Sequence, residues 1–591
     1  MAMIIRSSAW FAGLACASAV VSPPVYAAEP EPTLSPSMQA YQDVSVARER
    51  YSELVWGGQE ASPEEIRAAI RELDADLAKM EQPLVRDLAE GNIYLRYRRY
   101  NILIDTIKLH ARVGEPQKAL ARWRELSDME WAPEPGLWAS DDPHVKALMS
   151  RPEFAEIAVK QRVARWWSLG PSLKTEYRAE LPLDERIAGL SRVWAVAREG
   201  FVWFDRVPEL DWDLAYRQHL SEAIAAKDTE TYYRVLMRFV ALLADGHSNV
   251  YAPDALRETF YSRPGLRTAL IEGKVVVVSI DDPALTASGM AVGDEIVRVD
   301  NVPVRAYAEG SVGPYVSSST PQDREVRMYR YALLSGNAQR PVRLELRDRS
   351  SRGYVVAARR SGYEKSPATV SGASKSEPAL RLRDDGIAVL RVDQFENDSA
   401  LKSFEADFAL LAKAKGLILD LRGNGGGSTY YGTQILAHLS RTPLPTMTSR
   451  YREGAVYGFA SGASPRLQWR TIDVDGESQA PEQVYEGPVA MLIDAATFSA
   501  AEDTAAVFRR MKRGPIVGVA SGGSSGQPFV FGLPGGGMAR ICVKRDTYPD
   551  GSSFVGLGVL PDIVAARTLR DVRRGEDSAL ERAVRALSQP H

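Results

Sequence analysis

Between residues 380 and 590, short apolar runs alternate with helix-patterned stretches, and this alternation constrains the fold more than any other feature of the chain. Strand, helix, strand in succession is the pattern of an α/β layer, with helices packed on a sheet. One unit is explicit. Val489-Ala490-Met491-Leu492-Ile493 reads as a strand, and Thr504-Ala505-Ala506-Val507-Phe508-Arg509-Arg510 reads as a helix. Between them lies Ala495-Ala496-Thr497-Phe498-Ser499-Ala500-Ala501-Glu502-Asp503. A serine at such a turn projects its hydroxyl over the carboxyl end of the sheet, beside the free amides that open the helix. That position suits an acyl-transfer nucleophile. It suits a helix cap equally, because Ser499-x-x-Glu502 fits a capping box. On these residues alone both readings stand.

The remainder of the chain bounds the answer. Its 591 residues exceed one core and predict about three to five domains. A net charge of -3 gives no electrostatic case for a nucleic-acid partner. Residues 1–6 are basic, 9–21 are apolar but too short to span a bilayer, and Val25-Tyr26-Ala27 offers small residues for cleavage before Ala28. Residues 1–27 therefore read as a signal peptide, and the protein is expected to be exported, with the periplasm as its compartment. No later segment is long and apolar enough for a membrane helix. The two cysteines are Cys16 and Cys542. Loss of the leader leaves one thiol and no intrachain disulfide, and Cys542, between Ile541 and Val543, reads as a buried apolar residue.

Four further regions follow from patterning. Residues 38–175 are rich in three- and four-residue apolar steps and predict an all-helical domain, with 91–113 and 116–126 as a hairpin broken at Gly114. Residues 176–255 predict a helical segment that leads into the catalytic unit, with Asp211-Trp212-Asp213 at a helix start and Gly246 as a terminator. Residues 264–359 change to short strands, with Lys274-Val275-Val276-Val277-Val278-Ser279-Ile280 as one of them. Residues 361–378, rich in Ser, Lys, Pro and Gly, read as a linker. It leads to an α/β core over 380–570 and a C-terminal helix or tail over 571–591.

Two features bear on Ser499. The strand-like Gly416-Leu417-Ile418-Leu419-Asp420 runs through Leu421-Arg422 into Gly423-Asn424-Gly425-Gly426-Gly427-Ser428. Successive glycines permit positive φ and close approach, and free amides of such a loop suit an oxyanion. A tight βα turn explains the same residues. The absence of a Gly-Lys-Ser/Thr ending weakens a phosphate-binding reading. The second feature is His247. Of six histidines it alone lies at a helix end among small and polar residues, in Asp245-Gly246-His247-Ser248, where a structural or a catalytic role fits. No metal-ligand spacing and no cofactor motif is present.

Taken together, these motifs resemble the C-terminal processing, or tail-specific, protease family and its tricorn-like branch. The resemblance is carried by Leu419-Asp420-Leu421-Arg422-Gly423-Asn424-Gly425-Gly426-Gly427, by Phe498-Ser499-Ala500-Ala501-Glu502 and by Gly558-Val559-Leu560-Pro561-Asp562-Ile563. Asp211-Trp212-Asp213 and Asp245-Gly246-His247 match the segment ahead of the core. Residues 264–359 resemble a PDZ domain through Gly289-Met290-Ala291-Val292-Gly293-Asp294-Glu295-Ile296-Val297, although Gly265-Leu266 is a weak match to the peptide-gripping loop. The resemblance covers about 183 to the C-terminus and leaves the first helical region unexplained. It implies a multidomain α/β protein with a crotonase-like core sheet and a polypeptide substrate, engaged through its C-terminus.

The resemblance also implies roles. Ser499 is the nucleophile, and Gly425, Gly426 and the Ala500 amide hold the oxyanion. Bacterial tail-specific proteases use a lysine one strand beyond the serine, but no lysine occurs between Arg513 and Val543. Tricorn-like members use a histidine placed where His247 stands. Those enzymes orient it with a glutamate, and Val555 occupies that position here. Asp245, Ser248 and Asp550 are the candidates to replace it. The expected activity is a Ser-His endopeptidase. The alternative is a non-catalytic peptide- or ligand-binding protein on the same fold.

Overall fold

The computed structural model describes residues 36–588 apart from 58–60, 130–136, 138–139, 161–172, 362–379, 446, 454–467, 473–480 and 482. The predicted signal peptide lies outside the described residues, as does nearly all of the predicted linker.

The predicted alternation builds a six-stranded sheet. Gly416–Asp420 and Val489–Ile493 are buried at every residue, as unbroken apolar runs require of inner parallel strands. They pair from Leu417↔Val489 to Asp420↔Leu492. Ile387–Arg391 and Ile516–Gly518 flank them in parallel, Ile563–Val564 extends one edge in parallel, and Leu380–Leu382 closes the other antiparallel. Alternate side chains face opposite sides of a strand. Leu417, Leu419, Met491 and Ile493 share a core with residues of helices Thr429–Ala437 and Ala500–Met511. Ile418, Ala490 and Leu492 pack with Ala579 and Ala583 of helix Ser578–Leu587. The C-terminal segment is thus one face of the core and not a tail.

The 176–255 segment is not separate either. Helices Leu183–Gly200, Trp212–Ala225 and Thr229–Ala241 contribute Leu190, Trp212 and Phe239 to the same apolar cluster as Leu419 and Met491. Asp211 caps the second helix, its side chain accepting the Leu214 N–H at 2.8 Å. The chain then enters strand Asn249–Tyr251, which pairs antiparallel with Met538–Cys542. Cys542 is buried there, as expected. Gly246 does not end the helix by its conformation; the positive φ is at Ala244 (46°). Gly246 is needed for space, since a Cβ there would lie 2.8 Å from the Phe498 ring.

Two other units have their own cores. The N-terminal helices pack around Leu73, Leu103 and Trp123. Their hairpin is Ile93–Arg112 and Pro116–Asp128, turned at Gly114 with φ 79°. Residues 266–358 form an antiparallel sheet in the order Leu266–Ile271, Lys274–Ile280, Glu295–Val299, Val342–Arg347, Gly353–Ala358. A helical stretch inserted between its third and fourth long strands reaches the core. Thr320 Oγ1 donates to the Gly522 carbonyl at 2.6 Å, and Ser317 Oγ donates to the Asp245 carbonyl at 2.7 Å.

Candidate active site

Ser499 begins helix Ala500–Met511 with φ 57° and ψ −127°, a conformation costly for any residue with a side chain. The strain is accommodated by the glycine loop. A Cβ on Gly426 would stand 2.7 Å from Ser499 Cβ and 2.8 Å from the Phe498 carbonyl, so only glycine lets this loop lie under the turn. The Phe498 N–H donates to the Asn424 carbonyl at 2.9 Å and locks turn to loop. Strained strand-to-helix turns of this kind expose a nucleophilic hydroxyl.

His247 meets that hydroxyl. Its Nε2 is 2.9 Å from Ser499 Oγ, and its Nδ1 is 2.8 Å from Ser524 Oγ. The ring is 3% exposed and stacks on Phe498, with centroids 4.9 Å apart and planes 20° apart. For Nε2 to accept the Ser499 proton, Nδ1 must carry the hydrogen and donate it to Ser524 Oγ. Burial holds the imidazole well below its ordinary pKa, and the charges of Arg540, Arg327 and Lys544 push in the same direction. The ring is therefore neutral at neutral pH, the form a general base requires.

Sequence reasoning missed the role of Ser524. It lies in Gly518-Val519-Ala520-Ser521-Gly522-Gly523-Ser524-Ser525-Gly526, whose small residues carry no period. The residues expected to orient the histidine do otherwise. Asp245 is buried below the loop and accepts from the His247 N–H at 3.2 Å and the Ser248 hydroxyl at 2.7 Å. Ser248 accepts the Cys542 N–H at 3.1 Å. Asp550 closes a surface turn on Ser552. Val555 is a buried member of the apolar core. None of the four reaches the ring; Ser524 does.

Glu502 organises the loop that carries Ser524. Its Oε1 accepts from the Ser521 hydroxyl and the Gly523 N–H, both at 2.6 Å. Its Oε2 accepts from the Ser524 N–H at 2.9 Å and the Ser499 N–H at 3.1 Å. Ser521 Oγ itself accepts the Val559 N–H at 2.6 Å. Burial pushes this carboxyl up to about 8 while the four donors pull it down. Three of the four donors are backbone N–H groups, which hold the carboxylate form against the upward push of burial. The next residue, Asp503, takes the hydroxyls of Ser525 (2.5 Å) and Thr429 (3.1 Å), joining the same loop to the helix after the glycines.

The glycine loop divides its amides. The Gly426 N–H, expected as an oxyanion donor, is taken by Asn424 Oδ1 at 2.9 Å. The Gly425 and Ala500 amides have no acceptor among the described residues; Ala500 follows Ser499 directly, and Gly425 lines the same cleft as Ser499. Asp420 and Arg422, the other polar residues of the motif, make a buried ion network. Arg422 bonds Asp420 at 2.7 Å and Asp577 at 2.8 Å, tying the loop to the cap of the C-terminal helix.

Ser499 and His247 open into a cleft of about 1280 Å³ that the glycine loop, strand Asn249–Tyr251 and residues 311–332 line. Arg327 reaches it from the antiparallel domain, donating to the Gly246 carbonyl at 3.1 Å and paired with Asp323 at 2.8 Å. No group of His, Cys, Asp and Glu among the described residues could hold a metal ion.

Residues 386–565 match the model of Peptidase family S41, so the motif resemblance holds over the sheet, the glycine loop and the serine turn. The carboxy-terminal-processing protease of Bartonella bacilliformis is 26% identical over 210 residues, 34% of this chain and 44% of that protein. The chloroplastic C-terminal processing peptidase of Tetradesmus obliquus is 25% identical over 344 residues, 56% of this chain and 67% of that protein. The chain thus spans less than half the length of the first relative. The structure of mature CPAF complexed with lactacystin shares the fold, with a TM-score of 0.55, 16% identity, and coverage of 69% of this chain and 98% of that one. No helix among the described residues is long and apolar enough to cross a membrane.

Proposed function

We propose that this protein is an exported serine endopeptidase whose nucleophile is Ser499 and whose general base is His247. The observation that carries the reading is the 2.9 Å approach of His247 Nε2 to Ser499 Oγ at the mouth of a cleft. The imidazole accepts the Ser499 proton as the oxygen attacks a peptide carbonyl. The Gly425 and Ala500 amides receive the oxyanion, with the dipole of helix Ala500–Met511 behind them. His247 returns the proton to the leaving amine, and water, activated by the same ring, releases the acyl group. The 266–358 domain is read as PDZ-like and as a grip on the polypeptide substrate.

A fluorophosphonate probe tests the reading. Wild-type protein labels and cleaves an unfolded protein substrate, and Ser499→Ala does neither. Absence of labelling in folded wild type would instead favour the ligand-binding alternative, in which Ser499 only caps its helix.

Ser524 serves as a positioning residue in this scheme. Ser524→Ala removes one neutral hydrogen bond to the ring, worth about 1 kcal/mol, and kcat falls about fivefold. A loss above about a hundredfold at unchanged stability would mean that Ser524 does more than hold the tautomer.

A further inference from the structure

The cations around the cleft are not equally satisfied. Arg327 has Asp323 within 2.8 Å, Arg234 has Glu230 within 2.9 Å and Lys544 has Asp546 within 3.1 Å. Arg540, which also lines the cleft, has no carboxylate within salt-bridge distance among the described residues. Its Nε is buried with no hydrogen-bond partner. One terminal nitrogen makes a 3.4 Å contact with the Gly246 carbonyl. That oxygen already accepts from Arg327 at 3.1 Å and Asn249 at 2.9 Å. The guanidinium rests 5.5 Å from the centroid of the Tyr251 ring. The nearby Asp245 carboxylate is occupied by Ser248, Ser319 and the His247 amide. A partly buried guanidinium in this state is a binding group without its anion, because its planar fork matches a carboxylate.

Its position tells which part of a substrate would supply that anion. Arg540 is registered opposite Asn249, two residues after His247. It therefore stands on the histidine's side of Ser499, where the leaving amine takes its proton. We propose that Arg540 binds a carboxylate on the leaving-group peptide and makes such an anion a determinant of cleavage. The carboxylate has two chemical sources, an acidic side chain a few residues beyond the scissile bond or the chain's own C-terminus. The inference rests on the peptidase reading given above.

The test uses four peptides of one sequence with a fluorescence-quenched scissile bond. They carry Glu or Gln on the leaving side, each with a free or an amidated C-terminus. Wild type is expected to cleave at least one carboxylate-bearing peptide about tenfold or more better in kcat/KM than the Gln amide, the range for a charge-assisted bond. Preference for the Glu amide names the side chain as the source; preference for the Gln acid names the terminus. Arg540→Gln should collapse the ratio toward one, and Arg540→Lys should keep part of it. Fluorophosphonate labelling rates of each variant report whether Ser499 and His247 remain assembled. Labelling without any carboxylate preference in wild type overturns the proposal and leaves the peptidase reading intact. A preference fully retained in labelled Arg540→Gln overturns it as well. A wild type that fails to label overturns the peptidase reading itself.

Discussion

His247→Ala is expected to lower kcat about a million-fold while leaving KM within a few-fold of wild type, the pattern of a group used only in the transition state. The ring is the only base in contact with Ser499 Oγ among the described residues, and no lysine stands between Arg513 and Val543 to substitute. The pH profile carries a second, independent expectation. The active form is the neutral imidazole, and its pKa lies below 6.5 because it is buried and faces three cations. Lowering the pH from 7 toward 6 should therefore leave kcat/KM almost unchanged, with the acid limb appearing only below 6.5. Stability follows the same sign. The unfolded chain takes up the histidine proton first as pH falls, so this contribution is present above 6.5 and is lost below it. An acid limb at or above 6.5 would contradict the sealed, neutral base.

Glu502→Gln should also be damaging, although it keeps the shape of the side chain. An amide has one acceptor oxygen and one NH2 group. Whichever way it is turned, the NH2 faces a backbone donor: Ser499 and Ser524 N–H on one side, Gly523 N–H on the other, where the Ser521 hydroxyl can turn to accept it. In the better orientation one buried N–H, that of Gly523, loses its acceptor, at about 1–3 kcal/mol. The expected result is a loss of about 1–3 kcal/mol in urea unfolding and a fluorophosphonate labelling rate reduced more than tenfold, because both Ser499 and Ser524 hang from this carboxylate. Unchanged labelling in a destabilised but folded Glu502→Gln protein would limit Glu502 to holding the fold.

The parts of this site that were legible in the sequence are those with a local signature. Residues 489–510 announce a strand, a turn and a helix by apolar patterning, and 416–428 announce a strand and a glycine loop. His247 stood out among six histidines by its polar surroundings. Ser524 left no such trace, because its partner is 277 positions away and its own neighbours are too small to show a period. The same limit explains Gly426. The resemblance implied the Gly425 and Gly426 amides for the oxyanion, but that of Gly426 is spent on Asn424 Oδ1, a contact set by loop curvature and not by composition. Helical patterning at 183–244 marks helices correctly but does not say whose core they fill, and Leu190, Trp212 and Phe239 fill that of the sheet.

The two residues that meet at 2.9 Å are 252 positions apart, with an entire antiparallel domain between them. Glu502 and Ser524 lie later still, and the strand Met538–Cys542, which pairs with the strand just after His247, lies later again. A ribosome that has finished His247 has nothing to pair it with until Ser499 and Ser524, 252 and 277 positions later, have emerged. Such distant pairings form slowly and late. A partly made chain therefore lacks the Ser499–His247 pair, and the site assembles only when these distant segments close on one another.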